Sequence, residues 1–480
     1  MPLPESTLRR PSAREGGGGR LPTRAELAAL LRLAVPVVVV QVGLMAMGVV
    51  DSIMVGHVSA TALAAVAIGN LYFFGLAVFG MGVLLALDPV VSQAVGAGDE
   101  PAVARALQRG LVLAAAISVP TALLLLTARP FLTWAGQPAA VIPDAAAYAA
   151  CSVPGVLPFF GFIVIRQTLQ ALHRMRPIVL VIVLANLANV GFNWVLIYGH
   201  LGMPPLGVVG SAWSTTISRC LMGLGIVTLA WPELESRLLP LRPELRAWAP
   251  LARMFRLGLP IGLQFLLESS VFGTVLLLMG RLGTVPVAAH QVAINIASLT
   301  FMVPLGVSSA ATVLVGNAVG RGDARGARRA ARASLVVGAG FMALTALVML
   351  LLPVPLARAY SRDADVIALA ATLLPIAGAF QVFDGLQVVS IGILRGLADT
   401  RAPFIIALLG FWLLGFPVSL WLGFRTPLGP AGLWWGLVVG LVAVATLLLL
   451  RVRARLRRDV RRFAIDDAGP AAGAPLTLAV

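Results

Sequence analysis

Eight stretches of this chain contain no Asp, Glu, Lys or Arg: 52–87, 110–128, 145–165, 177–218, 282–320, 333–357, 402–424 and 426–450. No other feature restricts the fold so much, because a bilayer span needs about 20 mainly apolar residues. The three longest stretches each have room for one helix and an uncharged turn, or for two helices. Division at Gly and Pro, with the runs broken only by Asp51, Glu268 and Asp384 added, gives twelve helices. They cover about 27–55, 61–87, 103–128 and 145–172, then a fifth up to Tyr198 and a sixth from the Gly/Pro loop 202–207 to Trp231. The other six cover about 251–279, 285–314, 327–352, 365–394, 402–423 and 430–451. Membrane-spanning strands would alternate polar and apolar residues over about 10 positions, and these runs do not. With 59% hydrophobic and 12% charged residues, a soluble globular fold is excluded. The expectation is an all-α polytopic membrane protein.

The chain also repeats itself. A shift of 224 positions brings Leu33 and Pro36 onto Leu257 and Pro260, and Gly56 onto Gly280. It also brings Val95-Gly96-x-Gly98-Asp99 onto Val319-Gly320-x-Gly322-Asp323. Two copies of six spans predict two pseudo-symmetric lobes of equal orientation, related by an axis along the membrane normal, with substrate bound between them near the midplane. The expected organisation is a disordered basic tail over 1–26, an N-lobe over 27–231, a linker over 232–250, a C-lobe over 251–452 and a basic tail over 453–480. Asp88 to Pro101 reads as a charged loop.

A net charge of +16 resembles a nucleic-acid signal until its placement is read. Every basic residue is Arg, and most lie beside loops on one side, from Arg9 before the first span to the run Arg451–Arg462 after the last. Arg129, Arg281, Arg358, Arg362 and Arg425 fall on the other side, and Arg166 and Arg219 within spans. Such asymmetry predicts that both termini are cytoplasmic. Basic–aromatic interleaving is missing, so nucleic acid is not expected as a partner; anionic membrane lipid is expected at the basic tail. Cys151 and Cys220 both fall in apolar runs and suggest no disulfide framework.

A carboxylate at the bilayer centre costs ~2.5–3.5 kcal/mol on insertion scales, so each acid within a span needs an explanation. Glu268 has Gln264 one turn earlier on its face, and Asp384 is flanked at −3 and +3 by Gln381 and Gln387, also read as one face. Two carboxylates with amide oxygens make a hard-oxygen set suited to Na+ or a proton; the plainer alternative is two structural acids hydrogen-bonded to neighbouring helices. Asp51 draws polar company from Asn189 and Asn193 in the fifth helix and Thr215 in the sixth, while Asn186 reads as helix-packing glue. Arg219 needs either an acid or a water-filled cavity. His57 and His290 read as helix-end or packing histidines. With no nucleotide-binding, metal-ligand or nucleophile motif, an ion gradient is the expected driving force, and neither enzymatic activity nor a cofactor is expected.

Several of these motifs resemble a known family. Val50-Asp51-Ser52-Ile53-Met54-Val55-Gly56-His57-Val58, with Leu63-Ala64-Ala65-Val66-Ala67 after it, is similar to the first-helix signature of the multidrug and toxic compound extrusion family. Gly258-Leu259-Pro260 through Glu268, and Gln381-x-x-Asp384-x-x-Gln387 running to Leu394-Arg395-Gly396-x-x-Asp399-Thr400, resemble helices seven and ten of its NorM-type branch. The resemblance implies export of amphipathic organic cations in exchange for Na+ or H+, by a monomer in a bacterial inner membrane. It implies an N-lobe polar site of Asp51, Asn189, Asn193 and Thr215, and a C-lobe cation site of Glu268 and Asp384; Gln264, Gln381, Gln387 and, in the sixth helix, Arg219 are read from their positions as supporting residues. Phe380 replaces a tyrosine of some relatives and Asn193 an aspartate, which leaves the coupling ion open. A lipid-linked precursor flippase of the same superfamily would need extra helices and a basic cavity. An integral-membrane enzyme would need a His, Asp or Ser cluster at a membrane face.

Overall fold

The computed structural model describes residues 22–458, 461–463 and 465–466; the first 21 residues and most of the C-terminal tail lie outside the described residues. The N-lobe comprises α1 (Arg24–Gly56), α2 (Ala60–Gly96), α3 (Glu100–Leu126), α4 (Ile142–Ala171), α5 (Arg176–Tyr198) and α6 (Gly207–Leu229). The C-lobe comprises α7 (Trp248–Leu282), α8 (Thr284–Gly320), α9 (Ala324–Leu351), α10 (Ala364–Gly396), α11 (Arg401–Phe424) and α12 (Pro430–Arg457). Eleven of these are long and apolar enough to span alone. A twelfth span forms when α6 is taken with the short helix Trp231–Leu238, which turns from it by 85°. The twelve-helix, two-lobe architecture is the one the charge-free runs and the repeat predict.

Local chemistry sets the helix limits. Thr23 and Glu26 form a reciprocal capping box that starts α1. In the duplicated Gly-x-Gly-Asp segment, Gly98 and Gly322 adopt φ of 70° and 71°, conformations that favour glycine. The aspartates that follow cap the next helices, Asp99 accepting from the Ala102 amide at 3.0 Å and Asp323 from the Gly326 amide at 2.7 Å. Over 88–96 the structure corrects the expected loop. These residues are helical, and only a break at Leu85–Ala86 separates them from the first part of α2. Asp88 therefore sits inside a helix, buried at 8% exposure.

The linker residues are organised around Gln108, whose Nε2 donates to the carbonyls of Arg237, Leu238 and Pro240 at 3.0 to 3.2 Å. Its Oε1 accepts from the Arg242 amide at 3.1 Å.

The lobes meet through the helix halves nearest the termini. A Cβ at Gly96 would overlap the carbonyl of Asn317, and one at Gly320 the carbonyl of Gln93. The duplicated glycines thus let α2 and α8 cross at backbone contact, the close approach small residues permit between membrane helices. Gly258 on α7 meets Val83, and Gly306 on α8 meets Ala34 and Val38 on α1. Polar ties reinforce this end. Gln93 Nε2 donates to the Gly396 carbonyl at 2.9 Å, and the Asn317 amide lies 2.8 Å from His173 Nε2. A cavity lies between the lobes.

Candidate functional site

The cavity between the lobes has a volume of about 520 Å³. Apolar side chains dominate its wall, among them Met81 and Ile163 from the N-lobe and Phe265, Phe272, Phe301 and Phe380 from the C-lobe. Glu268 on α7 and Asp384 on α10 both line it, so the two sequence-predicted acids share one chamber. Gln264 and Gln387 each donate to Glu268 Oε1 at 3.0 Å. That leaves Gln387 Oε1 buried without a partner. Two carboxylates and a free amide oxygen form a donor set suited to a hard cation or a proton.

Gln381 does not join them. Positions −3 and +3 from Asp384 lie about 60° to either side of it on a helix of 3.6 residues per turn, about 120° apart from each other. Gln387 accordingly reaches the cavity, whereas Gln381 turns to Thr300 and accepts from Thr345 Oγ1 at 2.7 Å. Its role is to tie α10 to α8 and α9.

Charges at the cavity floor extend the site beyond the sequence reading. Arg166 and Arg395 both line the cavity. Arg395 reaches across the lobe boundary to Asp88, with Nη1 to Oδ2 at 3.5 Å, while Arg166 donates to Gln41 Oε1 at 3.3 Å. Asp88 escaped notice because it was assigned to a loop; the first glycine of a turn does not come until Gly96, which was the available signal that the helix continues past it.

The N-lobe site is separate and closed. Asp51 is 3% exposed and does not line the interlobe cavity. Its Oδ1 accepts from Asn189 Nδ2 at 3.1 Å and Asn193 Nδ2 at 2.6 Å, and its Oδ2 accepts from Thr215 Oγ1. All four predicted residues therefore meet. Asn193 Oδ1 remains without a partner. Asn186 instead donates to the Ile182 carbonyl of its own helix at 2.8 Å.

Arg219 does not form the ion pair that was one of its two expected arrangements. Among the described residues no carboxylate oxygen lies within 4.0 Å of its guanidinium. The guanidinium instead stacks 3.7 Å from the centroid of the Phe73 ring, with Phe159 at 5.6 Å. Such a desolvated cation–π contact is worth about 2 kcal/mol. Of the weaker candidates, His57 Nδ1 bonds the Ile53 carbonyl at 2.7 Å at the end of α1. His290 packs its ring 5.5 Å from that of Trp434.

Duplicated six-helix lobes, in close contact at one end around a shared chamber that carries paired acids, are the build of a membrane transporter. The chain belongs to the MatE family, whose model matches residues 36–195 and 260–421, once in each lobe. It is 40% identical over 455 residues to the probable multidrug resistance protein NorM of Mesorhizobium japonicum, covering 92% of this chain and 97% of the relative. It is 36% identical over 436 residues to the multidrug resistance protein MdtK of Edwardsiella ictaluri, covering 89% and 95%. Among solved structures, an outward-facing multidrug resistance MATE family transporter of the MOP superfamily superposes with a TM-score of 0.82 at 20% identity, over 91% of this chain and 97% of that one. The eukaryotic MATE transporter AtDTX14 superposes with a TM-score of 0.81 at 22% identity, over 89% and 96%.

Proposed function

We propose that this protein is a multidrug exporter that expels amphipathic, mainly cationic organic compounds in exchange for Na+ or H+ by alternating access. One observation carries the reading. An apolar chamber between two lobes, closed toward the termini, holds Glu268 and Asp384 on one wall. Apolar walls bind bulky molecules without fixing one shape, and the carboxylates favour positive charge. If organic cation and coupling ion need the same negative charge in different states of one two-state machine, movement of one drives the other. The names of the bacterial relatives point the same way. The arginine asymmetry supports cytoplasmic termini in a bacterial inner membrane. The chamber then faces outward in this conformation.

A precursor flippase would need a basic cavity. Here Arg166 and Arg395 share the chamber with two acids, so the cavity is not basic.

Proteoliposomes with separately imposed Na+ and pH gradients test this reading. A fluorescent organic cation should move only when the coupling ion runs in the opposite direction. Glu268→Gln and Asp384→Asn should each reduce gradient-driven transport more than tenfold, and the double variant should be little worse, because residues acting as one unit are not additive. Wild-type rates in both single variants would make these acids structural.

A further inference from the structure

A second hollow lies outside the chamber, on the outer surface of the bundle. It is a groove of about 700 Å³ between α2 and α3 of the N-lobe and α7 of the C-lobe. Leu76, Phe79, Val112, Ala116, Phe255 and Leu266 contribute to its walls. No acid lines it, and its single charged lining residue is Arg256. Arg256 is exposed and, among the described residues, has no carboxylate within 4.0 Å.

Neighbouring contacts fix its depth. The carbonyl of the next residue, Leu257, accepts a 2.8 Å hydrogen bond from Thr400 Oγ1, in the short turn that follows α10. Arg256 therefore stands where helices leave the bundle on the side of the termini. Trp248, on the same wall, is 78% exposed. It stands eight residues, about 12 Å, before Arg256 at the start of α7, and an exposed tryptophan at the end of a span suits the interface between hydrocarbon and headgroups. An apolar groove, a cation at its rim and an interfacial aromatic match one occupant by shape and charge.

We infer that this groove is a phospholipid site, in which an acyl chain lies between α2, α3 and α7 while Arg256 holds an anionic headgroup. Two of the walls belong to one lobe and the third to the other. A lipid seated there bridges the lobes beside the Gly258–Val83 contact and stabilises the conformation sealed toward the termini. A ligand that favours one conformation shifts the population toward it.

The full-length protein in detergent provides the test, by thermal unfolding and native mass spectrometry with phosphatidylglycerol, phosphatidylcholine or glycerol 3-phosphate at equal concentrations. Phosphatidylglycerol should raise the apparent Tm by several degrees and survive as an adduct, phosphatidylcholine should do so at least about tenfold more weakly, and glycerol 3-phosphate should do nothing. Arg256→Gln should remove the preference between the two lipids and leave the lipid-free Tm unchanged. Gly75→Leu should weaken both lipids, because a side chain there enters open groove space: no atom stands within 4 Å of the Cβ position. Arg256→Lys should restore part of the preference. Equal stabilisation by the two lipids in the wild type, or a full preference in Arg256→Gln, would overturn the site. Stabilisation by glycerol 3-phosphate alone would replace it with an anion pocket that needs no acyl chain.

Discussion

Replacing Asp51 by Asn and by Ala separates what its hydrogen-bond shell does from what its charge does. Three side-chain donors converge on the carboxylate, from Asn189, Asn193 and Thr215. An asparagine at 51 keeps one oxygen for the two amides, and its own amide can donate to Thr215 Oγ1 once that hydroxyl turns. Hydrogen bonds to a charged group are about twice as strong as neutral ones, and each neutral bond contributes ~0.5–1.5 kcal/mol net. Relief from burying a charge offsets part of that loss. Asp51→Asn should therefore cost no more than about 1–2 kcal/mol. Alanine strands all three donors. Two retain weaker alternatives, Asn189 Nδ2 to Ser214 Oγ at 3.3 Å and Asn193 Nδ2 to Asn189 Oδ1 at 3.2 Å. At ~1–3 kcal/mol for each stranded group, discounted for those alternatives, Asp51→Ala should cost roughly 2–5 kcal/mol, a large part of the marginal stability of a typical domain.

Detergent-solubilised protein, followed by size exclusion and thermal unfolding, should show Asp51→Asn near wild type and Asp51→Ala depleted with a lower Tm. Efflux measured across pH then reports on charge alone, and Asp51→Asn should lose pH-dependent export while still folding. Asp51→Asn breaks no salt bridge to Arg219, whose guanidinium rests on Phe73, so Arg219→Gln should not be needed to recover folding. Three results would refute this reasoning. They are equal stability of the Ala and Asn variants, recovery of a misfolded Asp51→Asn by Arg219→Gln, and normal export by Asp51→Asn at every pH.

The seal between the lobes yields two further predictions. Gly320→Leu places a side chain against the Gln93 carbonyl, so spin labels at Arg174 and Arg325 should move several ångströms apart, and an unchanged distance would show that the crossing tolerates bulk. The seal should also loosen in two stages on acidification. His173 is held below its ordinary value, first by burial and then by Arg321, so its contribution is complete above about pH 6.5 and is lost as pH falls through its lowered value. The hydrogen bond from Arg462 holds the Asp99 carboxyl below the usual carboxylate range. At Asp466 burial acts upward but is outweighed by hydrogen bonds from Arg109 and Arg105, so this carboxyl also lies low. Those two contributions are complete above about pH 4 and fail at lower pH. Hydrogen exchange at 93–102 should rise in both stages, and Asp99→Asn should remove part of the second only; exchange that is flat between pH 7 and 5 would contradict the His173 assignment.

Helix number, lobe count and the pairing of acids were legible because they follow from local rules. A charge in a span is costly and must be pointed at protein or water, and a repeat of six helices must give two like lobes. The Asp51 site was legible because Asn189 and Asn193 stand four residues apart on one face, aimed the same way. What failed was tertiary. Whether Arg219 meets an acid or a ring depends on where α2 places Phe73, and nothing in the sequence around Arg219 records that. Gln381 was misassigned because two residues within reach of a central one need not share a direction. Arg395 stood in a quoted motif, yet its partner Asp88 comes from the other lobe and had been read as loop.

The repeat and the chemistry do not coincide, and the mismatch is informative. At the spacing that superposes the halves, Asp51 falls on Val275 and Glu268 on Leu44. Val275 is 0% exposed and Leu44 packs against the core, so neither position keeps a polar trace. Gln264 falls on Val40, which is also buried in the core. The seam glycines behave in the opposite way. Gly96 and Gly320 occupy equivalent places and each meets the other helix, and Gly258, which meets Val83, corresponds under the same shift to Ala34, which meets Gly306. Symmetry is kept where two lobes must close on each other, because a two-fold seam needs the same small residues on both sides. It is given up where charge is handled. One lobe carries a closed carboxylate within a shell of amides and a hydroxyl, and the other carries two carboxylates open to the shared chamber. Two identical acid sites would respond alike to every change of ion or cargo. Two unlike sites let a single rocking motion be weighted differently by each, which an exchanger needs in order to tell its two cargoes apart.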